Sequence, residues 1–203
     1  MANQNRPFGF RPVQTRNGAP WNGKTRTVII SAADTNAYFV GDMVTFAGSQ
    51  VKNEIDGKYY ERVTKAAGGG AIEDLAGAIT GIQAYRDPSN LYTGYRSAGA
   101  KANSILVEIP QDRNVVYVCQ EDSLSISIPQ AASGLNLDFV VNTGTAATRQ
   151  SGAALDSSTP AAVTATLPIR LLSYDGSIDN EAGEFAIWYC TINTDPYSNK
   201  TGA

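Results

Sequence analysis

Residues 18–25 read GAPWNGKT and fit G-x-x-x-x-G-K-[ST], the pattern of a loop whose backbone N–H groups cradle phosphate. That chemistry needs a buried strand before the loop and a helix after it, because the helix N-terminus adds partial positive charge to the cradle. The preceding residues, RPVQTRN, are polar and broken by proline. The following Thr27, Val28, Ile29 and Ile30 are a β-branched run that favours a strand. Pro20 and Trp21 occupy positions where small residues would have to wrap a phosphate. The string therefore reads as a Gly/Pro/Asn turn entering the first strand of a domain, with Lys24 unattached to any nucleotide.

The other reactive side chains are sparse. The chain has no histidine, which excludes Ser-His and Cys-His nucleophilic centres and removes the commonest metal ligand. Cys119 and Cys190 each lie in an apolar, strand-like run and read as buried thiols. The acidic pairs Glu73-Asp74 and Glu121-Asp122 are sequence neighbours, which a strand points in opposite directions, so neither is an acid/base pair; solvated turn positions are expected. The run DNEAGE at 179–184 lacks the alternating ligand spacing of a calcium loop. Tyr59, Tyr60, Tyr85, Tyr92 and Tyr95 suit a sugar-binding or partner surface and suit core packing equally. Asn199-Lys200-Thr201 has the form of a glycosylation acceptor, which carries meaning only in a secreted protein. No catalytic residue, cofactor or metal follows from this inventory, and the chain is not expected to be an enzyme.

The elements that must position these residues are strands. Of 203 residues, 42% are hydrophobic, enough for a core, and only 17% are charged, below the ~25% of an average soluble domain. Ten apolar or alternating runs stand between turn signals: TRTVIIS, NAYFVGDMVTFAG with a bend at Gly41-Asp42, GKYYERVTKA, GAITGIQAYRD, SILVEIP, RNVVYVCQED, SLSISIP, LDFVVN, LPIRLLSYD and EFAIWYCTIN. In SLSISIP, Leu124, Ile126 and Ile128 share a face. Helix signals are limited to one short turn each in PQAASGLN and SAGAKANS. The pattern predicts an all-β fold, a single β-barrel or sandwich domain, tulip-like or jelly-roll-like, with irregular loops. Residues 1–23 form an extended N-terminal arm, 24–193 the β-rich domain and 194–203 a C-terminal tail. Gly68–Gly70 are expected to be flexible, and the small-residue stretch 143–165 is a long loop with little to bury.

Charge divides along the chain although its net value is only −3. Residues 1–33 carry Arg6, Arg11, Arg16, Lys24 and Arg26 and no acid; residues 171–203 carry Asp175, Asp179, Glu181, Glu184 and Asp195 against Lys200. A basic head and an acidic tail attract complementary surfaces on neighbours, whereas five cations over so long a stretch do not make a nucleic-acid site. Pro7, Pro12 and Pro20 keep the arm extended, and Phe8 and Phe10 are expected to dock on a neighbouring subunit. No run approaches the ~18 apolar residues of a membrane span, and MANQNRPFGFRPV lacks the apolar core of a signal peptide; a soluble protein made in a cytosol is expected.

Three stretches carry a resemblance: NRPFGFRPV with NGAPWNGKTRTVIIS; NAYFVGDMVTFAG; and LNLDFVVNTGTAATRQSGAALDSS with LPIRLLSYDG and AIWYCTIN. Together they resemble the capsid cement, or decoration, proteins of tailed bacteriophages over nearly the whole chain. The resemblance implies a structural virion protein on the capsid exterior, present in the host cytoplasm during assembly, that stabilises the head by clamping neighbouring capsomers. It implies the major capsid protein as partner, self-association as a trimer rather than a dimer, no direct nucleic-acid contact and no membrane. Arg6, Phe8, Phe10, Arg11 and Trp21 of the arm are then the interaction residues. Another virion component of the neck, tail or head and a carbohydrate-binding β protein are the alternatives.

Overall fold

The computed structural model describes residues 3–70, 73–83, 94–122, 127–159 and 161–196. Its strands follow in order: β1 Arg11–Thr15, β2 Thr25–Ile30, β3 Tyr38–Phe39, β4 Met43–Lys52, β5 Tyr59–Lys65, β6 Leu75–Ala78, β7 Gly81–Ile82, β8 Tyr95–Arg96, β9 Ile105–Pro110, β10 Val115–Gln120, β11 Asn136–Leu137, β12 Phe139–Val140, β13 Ala154–Leu155, β14 Ile169–Tyr174 and β15 Ile187–Ile192. Among the described residues, the one helical element is the 3-10 turn Gln130–Ala132. PQAASGLN thus makes its expected turn, and SAGAKANS makes bends only. Leu124, Ile126, Tyr85, Tyr92 and the 199–201 string lie outside the described residues.

The fold is all-β. A five-stranded antiparallel sheet has the order β1-β10-β15-β14-β11, and a six-stranded sheet has the order β6-β4-β5-β2-β9-β7. Ribbons β12-β13 and β3-β8 complete it. Both sheets are open, so the described strands layer as a sandwich and do not close into a barrel. One core lies between the sheets, where Tyr117, Cys119, Leu171 and Trp188 of the five-stranded sheet meet Met43, Leu75 and Ala78 of the other. A second core covers the opposite face of the six-stranded sheet with Val28, Ile30, Val44, Val63 and Val107. Strand alternation explains the division: adjacent Met43 and Val44 on β4 enter different cores.

Residues 18–25 run from a turn directly into β2, as the β-branched run indicates, with Lys24 exposed and its N–H accepted by Asn22 Oδ1 at 3.0 Å; no helix follows the phosphate-loop pattern. Three expectations are corrected. The stretch 143–165 is not a loose loop: residues 151–157 are buried, and β13 within them pairs with β12. Its small side chains fit a close passage beside the inter-sheet core, which Ala153 and Leu155 join. Gly68–Gly70 are pinned, with Gly69 N–H donating to the Phe139 carbonyl at 2.9 Å and Gly70 N–H to the Asp138 carboxylate. The domain also extends past residue 193: Thr194 is buried and accepts the Leu75 N–H, and Asp195 pairs with Arg113 at 2.9 Å.

Candidate interaction surface

Alternation also decides which side chains of the five-stranded sheet face away from the core. Val115, Tyr117 and Cys119 point inward, so Val116, Val118 and Gln120 point out. Trp188 and Cys190 point inward, so Ile187, Tyr189 and Thr191 point out. The register then sets rows across the outer face. Arg11, Val118, Tyr189 and Ser173 stand side by side, and Arg170 stands opposite Thr191. None of the five strands contains Asp, Glu or Lys; their charges are Arg11 and Arg170. Arg16 follows β1 and donates from Nη2 to the Thr191 hydroxyl at 3.5 Å. All three arginines are exposed.

Residues 3–8 lie over one end of this face, held by Gln120. Its Oε1 accepts the Arg6 N–H at 3.0 Å, and its Nε2 donates to the carbonyls of Gln4 and Phe185, each at 2.9 Å. Asn3 donates to the carbonyls of Glu181 and Glu184 and accepts the Glu181 N–H. The Arg11 guanidinium sits 5.1 Å from the centre of the half-buried Phe8 ring, within cation–π reach. An open groove of about 430 Å³ runs between Arg6, Phe8, Gln120, Asp179 and Ile187.

Of the five arm residues singled out in the sequence, the fold brings Arg6, Phe8 and Arg11 together here. It does not bring Phe10 or Trp21. Phe10 is 1% exposed in the chain's own core, edge-to-face with Tyr117 and Phe139 at 6.4 and 5.7 Å. Trp21 packs, half-buried, against the same core. Their expected role as anchors on a neighbour is therefore corrected. Phe8 and Phe10 would share a face in a regular strand, but Gly9 at φ +71° breaks the alternation between them. A Cβ on Gly9 would lie 2.6 Å from the Gly41 carbonyl oxygen, and one on Gly41 2.6 Å from the Phe8 carbonyl oxygen. The arm is thus laced against the bend between β3 and β4, where Phe10 N–H donates to Gly41.

The buried and half-buried carboxylates act on the scaffold. Asp42, 0% exposed, accepts from Lys65 at 2.8 Å, from Phe39 N–H at 2.9 Å and from the Ser151 hydroxyl. Glu73 accepts the N–H groups of Ala67 and Gly68, and Asp122 those of the Ser157 backbone and hydroxyl. The expectation that Glu121 is a solvated turn residue is corrected: it is 1% exposed, because its main chain bonds Ala186 and bridges to Leu155 in the interior. Burial raises its pKa to about 7, against the stabilising N–H of Ile128. Burial likewise raises the Asp138 carboxyl, whereas at Asp156 hydrogen bonds from Ser158 and Thr159 overcome burial and lower it. Among the described residues no group of three His, Cys, Asp or Glu side chains is placed to hold a metal ion.

The tyrosines do not gather into one site. Tyr59 is 66% exposed at the β4–β5 hairpin, Tyr60 donates to Asp56 at 2.6 Å, and Tyr95 stacks on Phe39 at 5.3 Å. Sequence reasoning missed Gln120, Arg170 and Tyr189. The signal for Arg170 was present, since a lone charge inside the apolar run LPIRLLSYD marks the solvent side of a strand. No protein-family model, no curated protein and no solved structure matches the chain.

Proposed function

We propose that the chain is a structural virion protein, a cement or decoration protein that binds the outside of a tailed-phage capsid and clamps neighbouring capsomers. The observation that carries this reading is the outer sheet face: apolar and aromatic at its centre, rimmed by arginine and free of carboxylate along its strands. Interface cores are enriched in aromatic residues and arginine and depleted in acids. A protein of this kind works by added contact area and has no reacting atom to position, so the reading assigns no catalytic residue and no cofactor. The major capsid protein is the partner at the arm end, around Arg6, Phe8 and Arg11. The protein associates with itself as a trimer, matching the abundant three-fold positions of an icosahedral lattice. Nucleic acid is not assigned as a partner of a chain of net charge −3. No helix among the described residues is long and apolar enough to cross a membrane, and no membrane partner is assigned.

Deleting the arm is a poor test, because Phe10 and β1 belong to the fold. Arg6→Glu combined with Phe8→Ala changes only exposed or half-buried side chains. This variant should bind purified heads far more weakly than the parent; undiminished occupancy refutes the arm's role. Cryo-electron microscopy of virions should place the protein on the outer shell. Density confined to the neck or tail would replace the cement reading with another virion component.

A further inference from the structure

The loop between β14 and β15 has the opposite character to the sheet face. From Leu171 to Asn199 the chain has no lysine or arginine, and the loop carries Asp175, Asp179, Glu181 and Glu184. At its tip Ile178 is 97% exposed, the most exposed large hydrophobic side chain among the described residues. The loop is held in shape. Asn180 donates from Nδ2 to the carbonyls of Asp175 and Ile187 and accepts the Ile187 N–H, while Tyr174 donates to the Asn180 carbonyl at 2.6 Å. An apolar tip inside an acidic collar is therefore presented on a stitched loop.

Arg16 and Arg170 meet the chemical needs of that loop. Arg16, just past β1, reaches Thr191 on β15, and Arg170 stands opposite Thr191 on the adjoining β14; both are exposed, and no ion pair joins either to a carboxylate among the described residues. Two like charges brought together favour an anion between them. Beside them, half-buried Val118 and Tyr189 offer an apolar seat for one aliphatic side chain.

We infer that the outer sheet face receives the β14–β15 loop of a second copy of this chain: Ile178 on Val118 and Tyr189, with Asp179 and Glu184 toward Arg16 and Arg170. In the trimer proposed above the contact runs head-to-tail, each loop on the next copy's face, and the ring closes. This deepens the self-association in the reading above by naming both surfaces, and it needs no capsid.

The test is sedimentation of the purified full chain over a concentration series at low and high salt. The parent should self-associate, less so in high salt because exposed charges are screened. Arg16→Glu with Arg170→Glu, and separately Asp179→Lys with Glu184→Lys, should each weaken association by about a hundredfold or more, as like charges then face each other. Mixing the two variants should restore association, since each then offers the surface the other lacks, a result that misfolding cannot give. Ile178→Asp should be monomeric. A parent that stays monomeric, variants that assemble like the parent, or a mixture that stays dissociated would each overturn the inference. Because no heads are present, a monomeric parent leaves the capsid reading to its own experiment.

Discussion

Replacing Glu121 by Gln should remove a pH-dependent loss of stability that the parent shows between pH 5 and 8. The carboxyl is 1% exposed; Oε2 accepts the Ile128 N–H at 2.9 Å, and the Trp188 indole N–H lies beside the carboxyl. Burial lifts its pKa from 4.5 to about 7, with a smaller push from Asp122. The folded protein therefore holds this proton more tightly than the unfolded chain. Below pH 4.5 both states are protonated and the full stability is present. As pH rises the unfolded chain ionises first, and stability falls until the folded carboxyl ionises near pH 7. At about 1.4 kcal/mol per tenfold change in proton affinity, the whole effect is about 3 kcal/mol, of which about 2.5 kcal/mol falls between pH 5 and 8. Glutamine copies the neutral acid and cannot ionise. Urea unfolding followed by the fluorescence of Trp21 and Trp188 at several pH values measures both proteins. With no histidine in the chain, few groups titrate in this window, and the raised Asp138 is common to both proteins. Parallel stability curves for parent and variant would refute the reasoning.

Phe10→Ala should destabilise by about 3–5 kcal/mol in urea titrations, the usual loss for a buried phenylalanine, while Phe8→Ala should change stability by less than about 1 kcal/mol. Asp42→Ala should lower stability by about 3–5 kcal/mol, since it leaves Lys65 without its buried partner; calorimetry would show it as a lowered Tm. Cys119 and Cys190 are free, fully buried and raised in pKa by that burial, so a thiol reagent at pH 8 should label neither until the protein is unfolded. Labelling of the native protein at the rate of a free thiol would contradict their placement.

The strands were legible because the local signals were strong: β-branched TRTVII and VVYVCQ became β2 and β10 with little change of boundary. Their partners were not legible, because pairing is long-range. Nothing local in RPVQT indicates that it lies against residues 115–118, about a hundred positions away. The arm was misjudged at one atom's scale, where Gly9 turns Phe10 inward while Phe8 stays out. The stretch 143–165 misled because small residues signal either a loose loop or a tight passage, and composition alone does not distinguish them. Glu121 misled for a related reason: acids are usually solvated, and only the backbone pairing with Ala186 and Leu155 draws this one inside. At the candidate surface, Arg6, Phe8 and Arg11 were legible as exposed arm residues, but the sheet they lie on was not.

Strand β10 of the five-stranded sheet lies between β1 and β15, the first and last of the described strands. The six-stranded sheet, by contrast, takes all its strands from residues 25–110. On a ribosome the six-stranded sheet has every strand available once residue 110 has emerged, whereas the five-stranded sheet lacks β15 until residue 192 has emerged. Pairings of such sequence separation form slowly. The outer face, with Tyr189 and Arg170 on it, forms only after residue 192 has emerged. A chain terminated before residue 187 leaves β10 with an unpaired edge and lacks the strand that carries Tyr189.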